Sequence, residues 1–261
     1  MRILNIKGCT VFNTGYDRPN LFFEVREKPS KPAETYEHML QYITSTFPTQ
    51  TGIIYCMTRD DCQATADFLN KSGIAADFYH AGQSTKDRKM VQNAWLTGAI
   101  RVVCATIAYG MGIDMPCVRY VIHLSLAKSV EGYYQEAGRA GRDGLYSECV
   151  LFYRREDVNK LARIMAMPPK RHLSKPDAER LEEMREYCEE REGCRRKIFY
   201  DKFQGQTDTA GVKYTFKPCL KDCDNCQETY RNKPRRTYTE PLDDDLDGFE
   251  PLQTAPVVRR N

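Results

Sequence analysis

The stretch Gly52–Leu69, GIIYCMTRDDCQATADFL, decides the fold. Gly52–Met57 is a short continuous apolar run, the pattern of a strand buried on both faces. Thr58 follows as a helix N-cap, and a helix runs through Asp61, Ala64, Phe68 and Leu69 until Gly73 stops it. The alternation repeats downstream. Ala75–His80 reads as the next strand, and Ser84 caps a helix carrying Met90, Val91, Ala94, Trp95 and Leu96, closed by Gly98. Arg101–Thr106 and Arg119–Leu124 read as strands, Ser129–Gly138 as a helix, and Glu148–Tyr153 as a last strand. Strands alternating with helices predict an α/β fold, a parallel sheet wrapped by helices. In such sheets the ligand-handling residues sit in loops beyond the carboxyl ends of the strands.

Beyond residue 154 the character changes. Arg154–Met167 and Lys175–Arg191 read as helices, the second dense in both signs of charge with a narrow stripe of Leu181, Met184 and Cys188. A cysteine-rich segment ends at Cys226. Residues 229–261 carry a basic stretch (Arg231, Lys233, Arg235, Arg236), then an acidic one (Asp243, Asp244, Asp245, Asp247), and read as disordered.

The 261 residues are 41% hydrophobic and 29% charged, which supplies a core and excludes wholesale disorder. No apolar run is long enough for a transmembrane helix, and the start MRILNIKGCT has no signal-peptide core, so no membrane partner is expected. Lys and Arg number 39 against 36 Asp and Glu; a net charge of +3 neither requires nor excludes nucleic acid. Eleven cysteines without an export signal point to a reducing compartment and to metal rather than cross-links. Cys9, Cys56, Cys62, Cys104, Cys117 and Cys149 are scattered among apolar residues and read as small buried hydrophobes. Cys194, Cys219, Cys223 and Cys226, spaced C-x24-C-x3-C-x2-C, suit one tetrahedral zinc. Four closed thiolates leave no open position, so the site is structural. Asp222, Asp224 and Asn225 suit a tight turn between the ligands. Cys188, on the apolar stripe, is expected in the core.

A second cluster is Gln135-Glu136-Ala137-Gly138-Arg139-Ala140-Gly141-Arg142-Asp143-Gly144. Two guanidinium groups three residues apart can face one way around a helix end, and arginine suits phosphate and transferring phosphoryl groups. Ala105–Asp114, ATIAYGMGID, leaves a strand end and enters a Gly-x-Gly loop. Local basic clusters at Arg59, Lys170–Arg171 and Arg195–Arg196–Lys197 are candidate phosphate contacts.

In this order and spacing, the segments resemble one family, the RecQ DNA helicases of superfamily two, over roughly Asp17 to Cys226. Arg18-Pro19-Asn20-Leu21 resembles the linker into that family's second RecA-like lobe. Ile54–Arg59 is similar to helicase motif four, Tyr79-His80-Ala81-Gly82 to the segment after it, Ala105–Asp114 to motif five and Tyr133–Gly144 to motif six. Tyr187-Cys188-Glu189, Cys194-Arg195-Arg196 and Cys223–Cys226 resemble the zinc-binding subdomain. The resemblance implies that Arg142 is the arginine finger, with Arg139 beside it and Gln135 coupling nucleotide to DNA. Gly112 and Asp114 would face the nucleotide cleft, and Thr58, Arg59, His80 and Thr106 would contact single-stranded DNA. It divides the chain into a linker over 1–19, a RecA-like lobe over 20–153 and a zinc module over 154–228.

The sequence holds no G-x-x-x-x-G-K-[ST] phosphate cradle and no Asp-Glu-x-His magnesium segment. ATP and magnesium are therefore expected only together with a first RecA-like lobe, in cis or in trans. The implied parent activity is ATP-driven 3′→5′ unwinding of DNA, with single strands and duplex junctions as substrates and the nucleus as its setting. Two other readings stay open. One is a zinc-stabilised DNA-binding or interaction module without enzymatic activity; the other, opposed by the four-cysteine segment, is part of an RNA helicase.

Overall fold

The computed structural model describes residues 17–106, 115–167, 172–204 and 216–229. Six strands, β1 (Leu21–Glu27), β2 (Thr51–Tyr55), β3 (Ala76–Tyr79), β4 (Val102–Ala105), β5 (Val118–His123) and β6 (Ser147–Tyr153), form one parallel sheet in the order β1-β6-β5-β2-β4-β3. The helices that link and extend them are α1 (Pro32–Thr46), α2 (Arg59–Lys71), α3 (Thr85–Leu96), α4 (Val130–Ala137), α5 (Glu156–Met165), α6 (Lys175–Glu189), α7 (Arg195–Gln204) and α8 (Asp224–Thr229). Strands β4, β5 and β6 are buried along their whole length, as a sheet covered on both faces requires.

The expected helix signals are in place. Thr58 caps α2 in a reciprocal box with Asp61, Ser84 accepts from the Asp87 N–H, and Ser129 accepts from the Gly132 N–H. Gly98 takes a φ of 78°, which only glycine adopts without strain, where α3 turns toward β4.

Within the sheet domain, two elements are not read from the sequence, β1 and α1. In LFFEVRE the charges at Glu24, Arg26 and Glu27 blur the apolar run. It becomes a strand by pairing with β6 from Leu21↔Ser147 to Glu27↔Tyr153. Helix α1 starts behind Lys31, which supplies no side-chain cap, so Pro32 in its first turn is its main start signal.

The outer edge of β1 is covered by the cysteine-rich segment. Phe23 and Cys223 form a parallel bridge, the Phe23 N–H donates to the Asp222 carbonyl (3.2 Å), and the Val25 N–H donates to Asp224 Oδ2 (2.9 Å). Two apolar clusters flank the sheet. One, with Ile54, Cys104, Tyr120 and Phe152, lies under α1 and α2. The other runs without a break from Phe23, Tyr55 and Val121 through Tyr133 to Leu181, Met184, Tyr187, Phe199, Cys194, Cys223 and Cys226. Burying charged edges and apolar faces in one cluster ties the helices after Tyr153 to the sheet.

Three sequence expectations are corrected. Asp224 and Asn225 open α8 rather than a turn, and both accept from Arg195. Cys117 is exposed, because it lies in the turn before β5 and not in an apolar run. Arg139 and Arg142 lie in the turn beyond α4, which ends at Ala137, so Gly141 at φ 53° and not a helical repeat sets their relation. Cys56, Cys62, Cys104, Cys149 and Cys188 are buried as expected, while Cys9 lies outside the described residues.

Gly52 supplies a stability test. A Cβ there would lie 1.9 Å from Cε2 of Tyr120, whose ring is fully buried. Gly52→Ala is expected to cost about 1–3 kcal/mol or more, since an overfilled core must shift. That corresponds to a fall in Tm of roughly 2–4 °C per kcal/mol, read by thermal denaturation. An unchanged Tm would mean that Tyr120 moves aside freely.

Candidate functional site

The parallel register brings the sequence-predicted nucleic-acid residues to one edge. Tyr55 pairs with Ala105, Ala105 with Tyr79, and Tyr55 with His123, so these strands end level with one another. Thr58, His80 and Thr106 lie one to three residues beyond those ends. Thr58 Oγ1 accepts from the Asp61 N–H (3.1 Å), which commits one lone pair to the cap. Arg59, exposed at the start of α2, rests its guanidinium over Gly82, where a Cβ would lie 2.8 Å from Nη1. The His80 ring stacks on Phe78 at 5.4 Å, and the His80 backbone N–H donates to Gln83 Oε1 (2.9 Å). Thr106 is half-buried. Gly112 and Asp114 lie outside the described residues, as do Lys170 and Arg171.

The guanidinium cluster reaches the same edge through Tyr55. The Arg139 guanidinium lies beside the Tyr55 hydroxyl. Burial pushes that hydroxyl up, and the nearby Arg139 and Arg142 act in the opposite sense. The Tyr55 ring stacks on His123 at 4.9 Å, and His123 Nε2 lies 2.9 Å from Glu136 Oε2 on α4. Buried Tyr55 and His123 and half-buried Glu136 thus form a bed beneath Arg139, while Arg142 and Gln135 are exposed. Sequence reasoning assigned no role to these three. The only hint was their position at strand ends and inside the Gly-Arg segment.

The basic cluster Arg195–Arg196–Lys197 is not a phosphate surface. Arg195 is fully buried and grips Asp224 through Nε and Nη2 (2.8 Å to Oδ2), with Nη1 donating to the Tyr187 carbonyl at 2.9 Å. Arg196 is 6% exposed and pairs with Asp17 at 2.5 Å. A guanidinium already desolvated and paired inside the fold presents no accessible fork to DNA. Lys197 is exposed and paired with Asp201.

The four predicted metal ligands meet. Sγ atoms of Cys194, Cys219, Cys223 and Cys226 all lie within 4.8 Å of one another, Cys219 being 3.5 Å from both Cys194 and Cys223. Tetrahedral zinc with bonds near about 2.3 Å needs sulfurs about 3.8 Å apart, so the donor set fits. Cys194 precedes α7, Cys226 lies in α8, and Leu220 takes a φ of 60° in the turn between Cys219 and Cys223. Cys188 stays in the core, where burial pushes its thiol up.

A parallel sheet with an arginine-bearing turn beyond α4 and an appended four-thiolate cluster defines a class. Residues 34–144 match the helicase conserved C-terminal domain, and residues 155–227 match the RecQ zinc-binding domain. The ATP-dependent DNA helicase Q1 of Pongo abelii is 38% identical over 225 residues, 86% of this chain and 33% of that protein. The RecQ-like DNA helicase BLM of Xenopus laevis is 46% identical over 189 residues, 71% of this chain and 14% of its own length. The ATP-dependent helicase SGS1 of Saccharomyces cerevisiae is 34% identical over 263 residues, 98% of this chain and 17% of its own length. The chain belongs to the RecQ family, as its helicase C-terminal part with a RecA-like sheet and a structural zinc. It spans about a third or less of the length of these relatives.

Proposed function

We propose that this chain is the second motor lobe of an ATP-dependent 3′→5′ DNA helicase and acts with a first RecA-like lobe that binds ATP and magnesium. The carrying observation is that Tyr55 joins the two functional clusters. Its hydroxyl meets Arg139, and three residues later Thr58 and Arg59 begin the strand-end surface with His80 and Thr106. A change in the guanidinium turn on cleft closure would be felt at the nucleic-acid edge over that short path. In this reading Arg142 and Arg139 meet the developing charge on the phosphoryl group, and Gln135, in the last turn of α4, reports nucleotide state. Gly112 and Asp114 would line the cleft. Single-stranded DNA and duplex junctions are the substrates, and, as the family resemblance implies, the setting is nuclear.

The chain by itself is expected to bind single-stranded DNA without hydrolysing ATP, because its sequence carries no phosphate cradle. With Arg195 and Arg196 buried, few phosphates are neutralised. The slope of log K against log salt should be about −0.7 per contact, so Arg59→Ala should make it shallower by about that amount. Fluorescence anisotropy with a labelled oligonucleotide over a salt series reads this directly. A slope of zero in the parent chain would remove the nucleic-acid edge. The motor role is tested by ATPase and unwinding assays on the chain joined in cis to an ATP-binding lobe.

A further inference from the structure

We infer that Arg18 is a positioning residue for the arginine-bearing turn, and that Arg196 beside the zinc site holds Arg18 in place. The inference rests on the reading of Arg139 and Arg142 as phosphoryl-facing groups and adds how their turn is held. That turn follows the C-terminus of α4, where carbonyls lack helical partners. Arg18, some 120 residues away in sequence, fills this need with one guanidinium. Nη1 donates to the Gly138 carbonyl (3.5 Å), and Nη2 to those of Ala140 (3.1 Å) and Gly141 (2.6 Å). Asn20 Nδ2 adds the Gly141 and Leu145 carbonyls at 2.8 and 2.9 Å. The fit is close: a Cβ on Gly141 would lie 2.5 Å from Asn20 Nδ2, and φ there is already positive. The Gly138–Gly141 backbone that carries Arg139 and leads into Arg142 is therefore clamped from residues 18 and 20.

The clamp is itself held from the zinc side. Arg196, two residues after Cys194, pairs with Asp17 and donates through Nη2 to the carbonyls of Arg18 (2.9 Å) and Leu21 (2.5 Å). Its guanidinium also lies 5.4 Å from the Phe23 ring centroid. Cys223 and Asp224 meanwhile bind the next residues of the same strand, Phe23 and Val25. Hydrogen bonds thus run from Arg196, two residues past the metal ligand Cys194, through residues 17–21 to the backbone between the two arginines. Each link is a charged fork on carbonyls or a carboxylate, a geometry that fixes direction as well as distance.

The test has two arms. In the zinc-loaded full chain, Arg18→Met keeps the stem and removes the fork. Amide hydrogen exchange at residues 138–141 should quicken about tenfold or more, the loss of hydrogen bonds to a charged group, with β2 and β4 unchanged. Arg18→Lys, which keeps the charge, should restore little of that protection and serves if the methionine variant folds poorly. In the chain joined in cis to an ATP-binding lobe, Arg18→Met should lower kcat for DNA-stimulated ATP hydrolysis at least about tenfold while KM for ATP moves by less than about twofold. A merely structural role would instead raise exchange throughout the sheet, and that result overturns the inference. Unchanged exchange at 138–141 also overturns it, leaving the motor reading intact. If Arg142→Ala keeps full turnover in the same protein, the motor reading fails, and this inference with it.

Discussion

Arg142→Ala, in the chain joined in cis to an ATP-binding lobe, is expected to lower kcat for single-strand-stimulated ATP hydrolysis by about 10³–10⁵, the measured worth of arginine fingers. Arg142 is exposed on the turn beyond α4, so its truncation should cost the fold little. The loss should fall on kcat, with KM for ATP nearly unchanged, because the interaction is made mainly as charge develops on the transferring group. Arg142→Lys should recover little, since an ammonium cannot reproduce the planar fork. Arg139→Ala should behave differently. Its guanidinium also lies beside the buried Tyr55 hydroxyl, so its removal takes a neighbouring charge from that phenol and should lower stability as well as turnover. Steady-state ATPase at saturating DNA, with thermal denaturation of both variants, separates the two. Near-parental turnover in Arg142→Ala would favour the binding-module reading, in which no phosphoryl group meets this turn.

Cys223→Ser is expected to abolish zinc binding and to unfold more than the helices after Tyr153. Structural zinc carries about 10–16 kcal/mol of apparent binding energy in small peptides, against a total stability of about 5–15 kcal/mol for a domain. Taken alone, the sequence boundary near residue 154 suggests that the sheet would survive. The packing argues otherwise. Cys223 bridges Phe23 on the edge strand, Asp224 accepts from Val25, and the zinc-side residues share one apolar cluster with β1, β5 and α4. The chain's single tryptophan, Trp95, is buried on α3 in that cluster and reports on the sheet side, while a chromogenic chelator reports zinc release. In the zinc-loaded chain the two signals should change together on heating. In Cys223→Ser the Trp95 transition should fall by many degrees. A Trp95 transition at its parental temperature would show that the two parts unfold independently. One zinc per chain, by mass spectrometry of the metal, is the matching stoichiometric result.

Much of this protein was legible from short-range patterns. The apolar runs Gly52–Met57 and Arg101–Thr106, the caps Thr58, Ser84 and Ser129, and the spacing of four cysteines each depend on residues within a turn or two. Local sterics and hydrogen bonding largely determine such features. The Gly-Arg turn and strand-end residues were visible as motifs for the same reason. Strand β1 was harder to see, because Glu24, Arg26 and Glu27 place charge in a run that becomes a strand only with β6 on one side and the cysteine segment on the other.

What only the tertiary structure decided is the fate of individual charges. Arg59, Arg195 and Arg196 look alike in sequence, each a cation in a polar segment. Folding leaves the first exposed over Gly82, sends the second onto Asp224 and the third onto Asp17. Whether a guanidinium keeps its water depends on which carboxylate or carbonyl the chain brings to it from far away, and no local pattern carries that information. The same holds for Arg18, whose partners at Gly138, Ala140 and Gly141 are fixed only when β1 settles beside β6. Sequence alone determined the sheet's period and the metal's donors. The long-range closure of the chain determined which arginines remain available for chemistry and which hold the fold, because desolvation and pairing are properties of the packed interior.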